Sequence, residues 1–354
     1  MTAEEMLKIA AQRQASDIFI VAGLPLALKI NNQIQRQGEQ RLQPDDTQEL
    51  ILQLYALSER DPGPMMVAGD DDFSFSLIGV SRYRVSVYRQ RGSLAAVVRV
   101  IAFQLPDPCQ LGIPDLVLQL GNRPKGLVLV TGPAGSGKST TLDCIIDRIN
   151  QSRNCHVVTL EDPIEYLHRH NRSIISQREI ATDTESYAVA LRAALRQAPD
   201  VILLGEMRDH ETISIAMTAA ETGHLVISTL HTMSATSTID RIIDAFPPNQ
   251  QGQIRMQLSM VLQAVVSQQL VTTLDGQVVP AFEIMLCTTA IRNMIRDAKV
   301  HQIDTAIFSS GAEGMVGMDA SLQQLFEQGR ISAEEAVAHS LSPDLMRKKV
   351  SKRP

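Results

Sequence analysis

One octapeptide carries chemistry by its residue types alone: Gly132-Pro133-Ala134-Gly135-Ser136-Gly137-Lys138-Ser139, followed by Thr140. It matches G-x-x-x-x-G-K-[ST] in full, with a strand-like run (Leu127–Thr131) before it and a helical pattern after it. Glycines at 132, 135 and 137 let the backbone curl so that successive N–H groups face phosphate oxygens. The following helix adds the positive end of its dipole. Lys138 is placed to reach the β- and γ-phosphates, and the Ser139 hydroxyl to ligate Mg²⁺. The pattern in this context predicts binding of a nucleoside triphosphate.

Two acidic strand ends lie downstream. An apolar run begins at Asp200 and ends in Gly205-Glu206. In phosphate-loop enzymes the strand beside the loop ends in an acid that serves the Mg²⁺ or the attacking water. Asp200 is at the wrong end for this and Glu206 at the right one. HVVTLED delivers Glu161 and Asp162 to the carboxyl edge of another strand, with Pro163 after them and Glu165 close by. Each acid alone has the bland fate of a solvated loop carboxylate. Two such strand ends after a complete phosphate loop predict a hydrolytic Mg-ATP site. Its catalytic groups are Glu206, Glu161 and Lys138, and its metal-binding oxygens come from Ser139, Glu161 and Glu206.

His224 and His231 bracket a further strand, GHLVISTLH. His231, at the carboxyl end, can donate to a γ-phosphate or be a satisfied structural histidine, and the residues leave both open. Arg99 interrupts an apolar run, and a buried guanidinium is costly unless paired. Arg84 projects from the face opposite the core residues of its own strand. Both can serve a neighbouring subunit's nucleotide as arginine fingers. The residues alone favour internal salt bridges with acids such as Asp70, Asp71 and Asp72.

The elements that must hold these groups follow from composition and periodicity. A chain of 354 residues exceeds one usual core and predicts at least two domains. Its 44% hydrophobic content excludes wholesale disorder, while 4% aromatics, no Trp and a net charge of −6 argue against nucleic acid. Cys109, Cys144, Cys155 and Cys287 form no C-x-x-C pair, so free thiols in a reducing compartment are expected. The opening MTAEEMLKIAAQRQ has no signal-peptide apolar stretch, and no run of about 20 apolar residues spans a bilayer; a cytoplasmic protein is expected.

The first ~100 residues read as a small α+β unit. It opens with a helix burying Met6, Leu7, Ile9 and Ala10, and Thr47–Leu57 is helical. Strands are expected at 17–23, 26–31, 72–77, 82–89 and 93–103. Pro106, Pro108, Pro114 and Pro124 mark a connector. From residue 126, short apolar strands (GLVLVTG, HVVTLED, DVILLGE, HLVISTLH) alternate with helices at 184–198 and 251–269, predicting a largely parallel sheet covered on both faces. Residues beyond about 286 read as helical.

At this point the boxes GPAGSGKSTT, TLEDPIEY, DVILLGEMRD and TGHLVISTLHTMSA together resemble the secretion and type IV pilus ATPases. SDIFIVAGLPLALKINN is similar to the opening of that family's PAS-like domain. TTAIRNMIRD (288–297) is similar to the AIRNLIRE signature of its retraction branch, the PilT proteins. Ala134 stands where Thr is usual, and Met294 and Asp297 replace Leu and Glu of that signature.

The resemblance implies an α/β fold with a RecA-like P-loop ATPase core. The domains would be a PAS-like α+β unit (1–105), a linker (106–125), the ATPase domain (126–285) and a small helical C-terminal region (286–354). It implies that Glu206 orients the attacking water, that Glu161 is the Asp-box acid, that His224 and His231 sense nucleotide, and that Arg84 and Arg99 contact it. It implies a homohexamer using ATP and Mg²⁺ to retract type IV pili in twitching motility. Such a ring docks on an inner-membrane platform protein at the cytoplasmic face and works beside a sister pilus ATPase. Membrane association is then peripheral, through partners or the basic tail RKKVSKRP (347–354), and no nucleic acid is involved. The alternative is an assembly or secretion ATPase, which the length and the lack of a tetracysteine module disfavour.

Overall fold

The computed structural model describes residues 1–30, 33–101 and 105–351. The chain divides into two compact units, Met1–Gln104 with Ile164–Leu167, and Leu105–Pro163 with His168–Pro354. The mixed α/β class expected from the sequence is what both units build.

The first unit runs α1 (Ala3–Gln12), β1 (Asp17–Ile20), β2 (Ala27–Ile30), β3 (Gln33–Arg36), α2 (Pro44–Leu57), α3 (Gly63–Ala68), β4 (Asp70–Leu77), β5 (Ser81–Gln90) and β6 (Ser93–Ile101). Helix α1 starts where Thr2 and Glu5 cap it reciprocally, an arrangement worth about 1 kcal/mol. Ala3, Met6, Leu7 and Ala10 form its buried i, i+3, i+4, i+7 stripe. Ile9, expected on that face, falls off the stripe and is exposed. The six strands pair antiparallel in the order β3-β2-β1-β6-β5-β4. Phe73, Phe75, Tyr83, Val85, Val87 and Val98 line one face with α1 and α2. The alternation of period two leaves Arg82, Arg84 and Arg99 on the other. The expected strand residues Asn31, Ala102 and Phe103, and the end of the basic tail from Lys352, lie outside the described residues.

The second unit runs α4 (Asp115–Gln119), β7 (Gly126–Thr131), α5 (Lys138–Ser152), β8 (His156–Glu161), β9 (Ile174–Glu179), α6 (Tyr187–Ala194), β10 (Val201–Leu204), α7 (His210–Glu221), β11 (Leu225–Leu230), α8 (Ala235–Asp244), α9 (Pro248–Val261), β12 (Leu262–Thr272) and β13 (Val278–Leu286). The helices α10 (Thr289–Arg296), α11 (Ile303–Ser309), α12 (Met318–Glu327), α13 (Ala333–His339) and α14 (Pro343–Val350) follow. Its sheet has the order β13-β12-β7-β11-β10-β8-β9, parallel except for the β12–β13 hairpin. The sheet is buried on both faces, which is why β7, β10 and β11 read as unbroken apolar runs. One face packs against residues of α6 to α11, and the other against α4 and α5. Ile113, Val117, Leu118 and Leu120, from the proline-punctuated stretch, are buried in the second of these cores. Helices α12 to α14 close on the β12–β13 hairpin through Met318, Leu322 and Met346 against Val271, Val279 and Ala281.

The helix expected over 251–269 ends at Val261, and Leu262–Thr272 is a strand. Ile254, Leu258 and Val261 keep a helical stripe, and Leu262 and Val265 extend it arithmetically, so spacing cannot find the boundary. Tertiary pairing decides it: β12 lies between β7 and β13 with nearly every residue buried.

Glu283 on β13 is 3% exposed. Its carboxylate accepts the Ala235 N–H at 2.6 Å and the Met318 N–H at 3.4 Å, so one side chain caps α8 and α12 together. Burial pushes its pKa up to about 7, against the pull of the two backbone donors. A raised carboxyl pKa means the folded chain holds the proton more tightly than the unfolded one. The associated stability is full below the unfolded value near 4.5 and is lost as pH rises through about 7. At 1.36 kcal/mol per pKa unit, the effect is about 3 kcal/mol. In Glu283→Gln, melting temperature relative to the parent is expected to shift in the variant's favour from pH 5 to pH 8. A difference that does not change with pH would refute this.

Candidate nucleotide site

Strand β7 delivers the phosphate loop, and α5 begins inside it at Lys138. Gly132, Gly135 and Gly137 all have positive φ, at 142°, 76° and 83°, so the loop curls as the glycine spacing predicts. Lys138 Nζ donates to the Gly132 and Pro133 carbonyls, both at 2.9 Å, which folds the ammonium over the loop. Among the described residues Ser136 Oγ is buried without a hydrogen-bond partner. A cradle of N–H groups at a helix start, a lysine held over it and an orphaned hydroxyl fit a phosphate chain. Ala134 and Gly135 are exposed, and Ser139 and Thr140 half-buried on the first turn of α5.

The loop has a wall that motif reading missed. Thr141 Oγ1 donates to Gln268 Oε1 at 2.7 Å, and Thr131 Oγ1 to Ser267 Oγ at 3.0 Å, which ties both ends of the loop to β12. The signal was present as two successive glutamines, Gln268 and Gln269, within an apolar run, and both are 3% exposed.

Glu206 follows β10 at its carboxyl end, as expected. The strand itself is not beside the loop strand, because β11 lies between β7 and β10. That order brings His231, at the end of β11, between loop and acid. His231 Nε2 is 3.3 Å from Glu206 Oε2, and Arg208 forms an ion pair with Glu206 Oε1. Burial works to raise the Glu206 pKa, but the hydrogen bond and charge of Arg208, then His231, outweigh it and hold the carboxyl below its ordinary value. Gly205 is required in front of it: a Cβ there would meet the Tyr187 hydroxyl at 2.7 Å. Arg208 and Tyr187 were not singled out by sequence.

Glu161 ends β8 and is 7% exposed. Its Oε1 accepts from Thr159 Oγ1 at 2.6 Å and Gln177 Nε2 at 3.2 Å. Burial first, then the charge of Asp143, push its pKa above the ordinary carboxylate range. This acid is therefore held by protein donors. Asp162 beside it is exposed. Asp200 is at the opposite strand end, where its Oδ2 accepts the His156 N–H at 2.8 Å.

His224 is not brought to the loop. It precedes β11, whose Leu225 pairs with Gly126, whereas Leu230 pairs with Thr131. Six residues of strand separate His224 from the loop end, roughly 20 Å at about 3.3 Å per residue. Its Nδ1 lies 3.0 Å from the Ala219 carbonyl.

In the first unit, Arg84 and Arg99 are register partners on adjacent strands, side by side on one face. The premise of a costly buried Arg99 is corrected: its side chain is 64% exposed. Its ion pair is with Asp17, Nε to Oδ1 at 3.1 Å, and not with the acids of β4. Asp71 is taken by Arg60 and by the Tyr55 hydroxyl. Two like charges directly opposite on a sheet repel, an arrangement that a bound anion relieves.

A complete phosphate loop at the carboxyl edge of a covered parallel sheet, with an ionised glutamate and a histidine beside it, defines a P-loop nucleotide site. The family model described as "Type II/IV secretion system protein" matches residues 1–340, and the chain belongs to that family. It is 42% identical over 344 residues to the "Type IV pilus retractation ATPase PilT" of Pseudomonas aeruginosa, covering 97% of this chain and 99% of that one. It is 38% identical over 348 residues to the same organism's "Type IV pilus ATPase PilU", covering 98% and 91%. The crystal structure of the pilus retraction motor PilT with bound ADP superposes with a TM-score of 0.88 at 46% identity, covering 98% and 99%.

Proposed function

We propose that this chain is the Mg-ATP-hydrolysing motor that powers type IV pilus retraction. The observation that carries the reading is the full-length similarity to a retraction ATPase, over both units and not only the nucleotide boxes. The chain is a P-loop ATPase. The N–H groups of residues 134–139, with Lys138, hold the phosphates, and Glu206 orients the attacking water, steadied by Arg208 and His231. Mg²⁺ would be held by the Ser139 hydroxyl with Glu206 nearby, since it needs only one or two protein oxygens, and would supply charge neutralisation to the phosphates. Glu161, bonded through Oε1 to Thr159 and Gln177, is the further acid of the site, for catalysis and the metal ion.

The rest of the reading concerns assembly. The chain works as a homohexamer, in which Arg84 and Arg99 act across subunits. Hydrolysis moves the 1–105 domain against the 126–285 domain about the start of the 106–125 stretch, before the buried Ile113, and the 286–354 region carries the AIRNLIRE-like segment. The ring docks on an inner-membrane platform protein at the cytoplasmic face and works beside a sister pilus ATPase. Among the described residues no helix is long and apolar enough to cross a membrane.

The test is to count surface pili on cells carrying Lys138→Ala beside the parent. A dense, static coat of pili is expected. Bald cells would make this an assembly ATPase, and an unchanged count would point to a redundant sister motor or to a different secretion machine.

A further inference from the structure

A polar chain runs from the loop helix to the TLEDPIEY box through residues that lie in no box. Asp143 stands on the second turn of α5, five residues after Lys138, and is 4% exposed. His168 Nε2 is 2.9 Å from Asp143 Oδ1, with the two side chains 4% and 5% exposed. The backbone N–H of His168 donates to Gln177 Oε1 at 2.8 Å. Gln177 Nε2 in turn donates to Glu161 Oε1 at 3.2 Å, and Thr159, the strand partner of Gln177, donates to the same oxygen. The connection runs from the helix that carries the phosphate loop, through His168 and β9, to the acid at the end of β8.

We infer that His168 and Asp143 are positioning residues for ATP hydrolysis: they lock α5 to the Glu161 strand end so that loop and acid keep a fixed spacing. The inference rests on the ATPase reading above. Its physical basis is that α5 and β8 are not adjacent in the hydrogen-bond ladder; β11 and β10 lie between β7 and β8. Small displacements of a reacting constellation are costly to rate, about 100-fold for 1 Å. A buried ring bonded to a buried carboxylate is a stiff strut, since neither group has water as an alternative partner. Burial disfavours charge on the His168 ring, but the hydrogen bond and charge of Asp143, then Glu161, outweigh it and raise its pKa. Asp147, on the same helix, adds to this field, so the ring faces acids from α5 and β8. Asp143 and Glu161 would otherwise repel across this gap.

The experiment is steady-state phosphate release with nucleotide affinity measured separately, on the parent, His168→Ala, Asp143→Ala, the double variant and His168→Gln. Expected are about tenfold lower kcat in each single variant, KM and ADP affinity within twofold of the parent, and no further loss in the double variant. Non-additivity of that kind marks a shared strut. His168→Gln, whose amide Nε2 can donate to Asp143, should recover kcat to within threefold. Parental kcat in both alanine variants overturns the inference. So does loss of kcat, affinity and melting temperature together without recovery by His168→Gln. A parent that hydrolyses no ATP would instead overturn the ATPase reading itself.

Discussion

Glu206→Gln is expected to bind nucleotide as the parent does and to turn it over at least about 100-fold more slowly, the usual scale for removing a general base. The substitution keeps the side-chain volume and one accepting oxygen, so the end of β10 should stay in place. It removes the negative charge that Arg208 and His231 are arranged around. Because the Glu206 pKa is held below its ordinary value, the parent carboxylate is ionised throughout the neutral range and ready to accept a proton or align a water. Phosphate release measured alongside nucleotide affinity separates the possibilities. Affinity lost in proportion to rate would make Glu206 a binding group, and a rate within threefold of the parent would remove it from the chemistry.

Gly132→Ala should be the most damaging single-methyl change in the loop. At φ 142° the backbone occupies a region that side chains avoid. An added Cβ would stand 2.1 Å from the Gln268 carbonyl oxygen and 2.7 Å from Ser136 Oγ. The first is main chain of β12, paired there with Phe282 of β13, so it cannot yield as a flexible side chain does. Nucleotide affinity is expected to fall more than tenfold and the melting temperature to drop. Gly135→Ala is the internal control: its φ is 76° but no atom lies within 4 Å of the new methyl, so only about 1 kcal/mol of left-handed strain is added. Parental affinity in Gly132→Ala would mean that the loop does not close on β12 when it binds.

Much of this was legible in residues. The loop spacing and the two acid-terminated strands declared themselves because open α/β sheets place such groups at strand carboxyl ends, while His231 showed its place but not its role. Strand order was not legible. Nothing in DVILLGE or HLVISTLH says which run pairs with β7, and the intervening β11 appears only in the fold. Strand β9, IISQRE, is an edge strand with too few apolar residues to signal itself, and it carries Gln177. Asp143 and His168 lie 25 residues apart, one on a helix and one in a loop, so no local pattern pairs them. Arg99 shows the opposite failure, an apolar neighbourhood in sequence but an exposed side chain in space.

The tie between Thr131 and Ser267 spans 136 positions of sequence. A ribosome that has synthesised the whole glycine motif has therefore not yet made the segment against which it closes. Strand β7 must wait first for β11 and then for β12, so a nascent chain shorter than about 270 residues carries the motif without its cradle. Pairing at such separation is entropically slow to form. It follows that nucleotide cannot help the early chain fold; competence to bind arrives late and at once, when β12 takes its place against the loop strand.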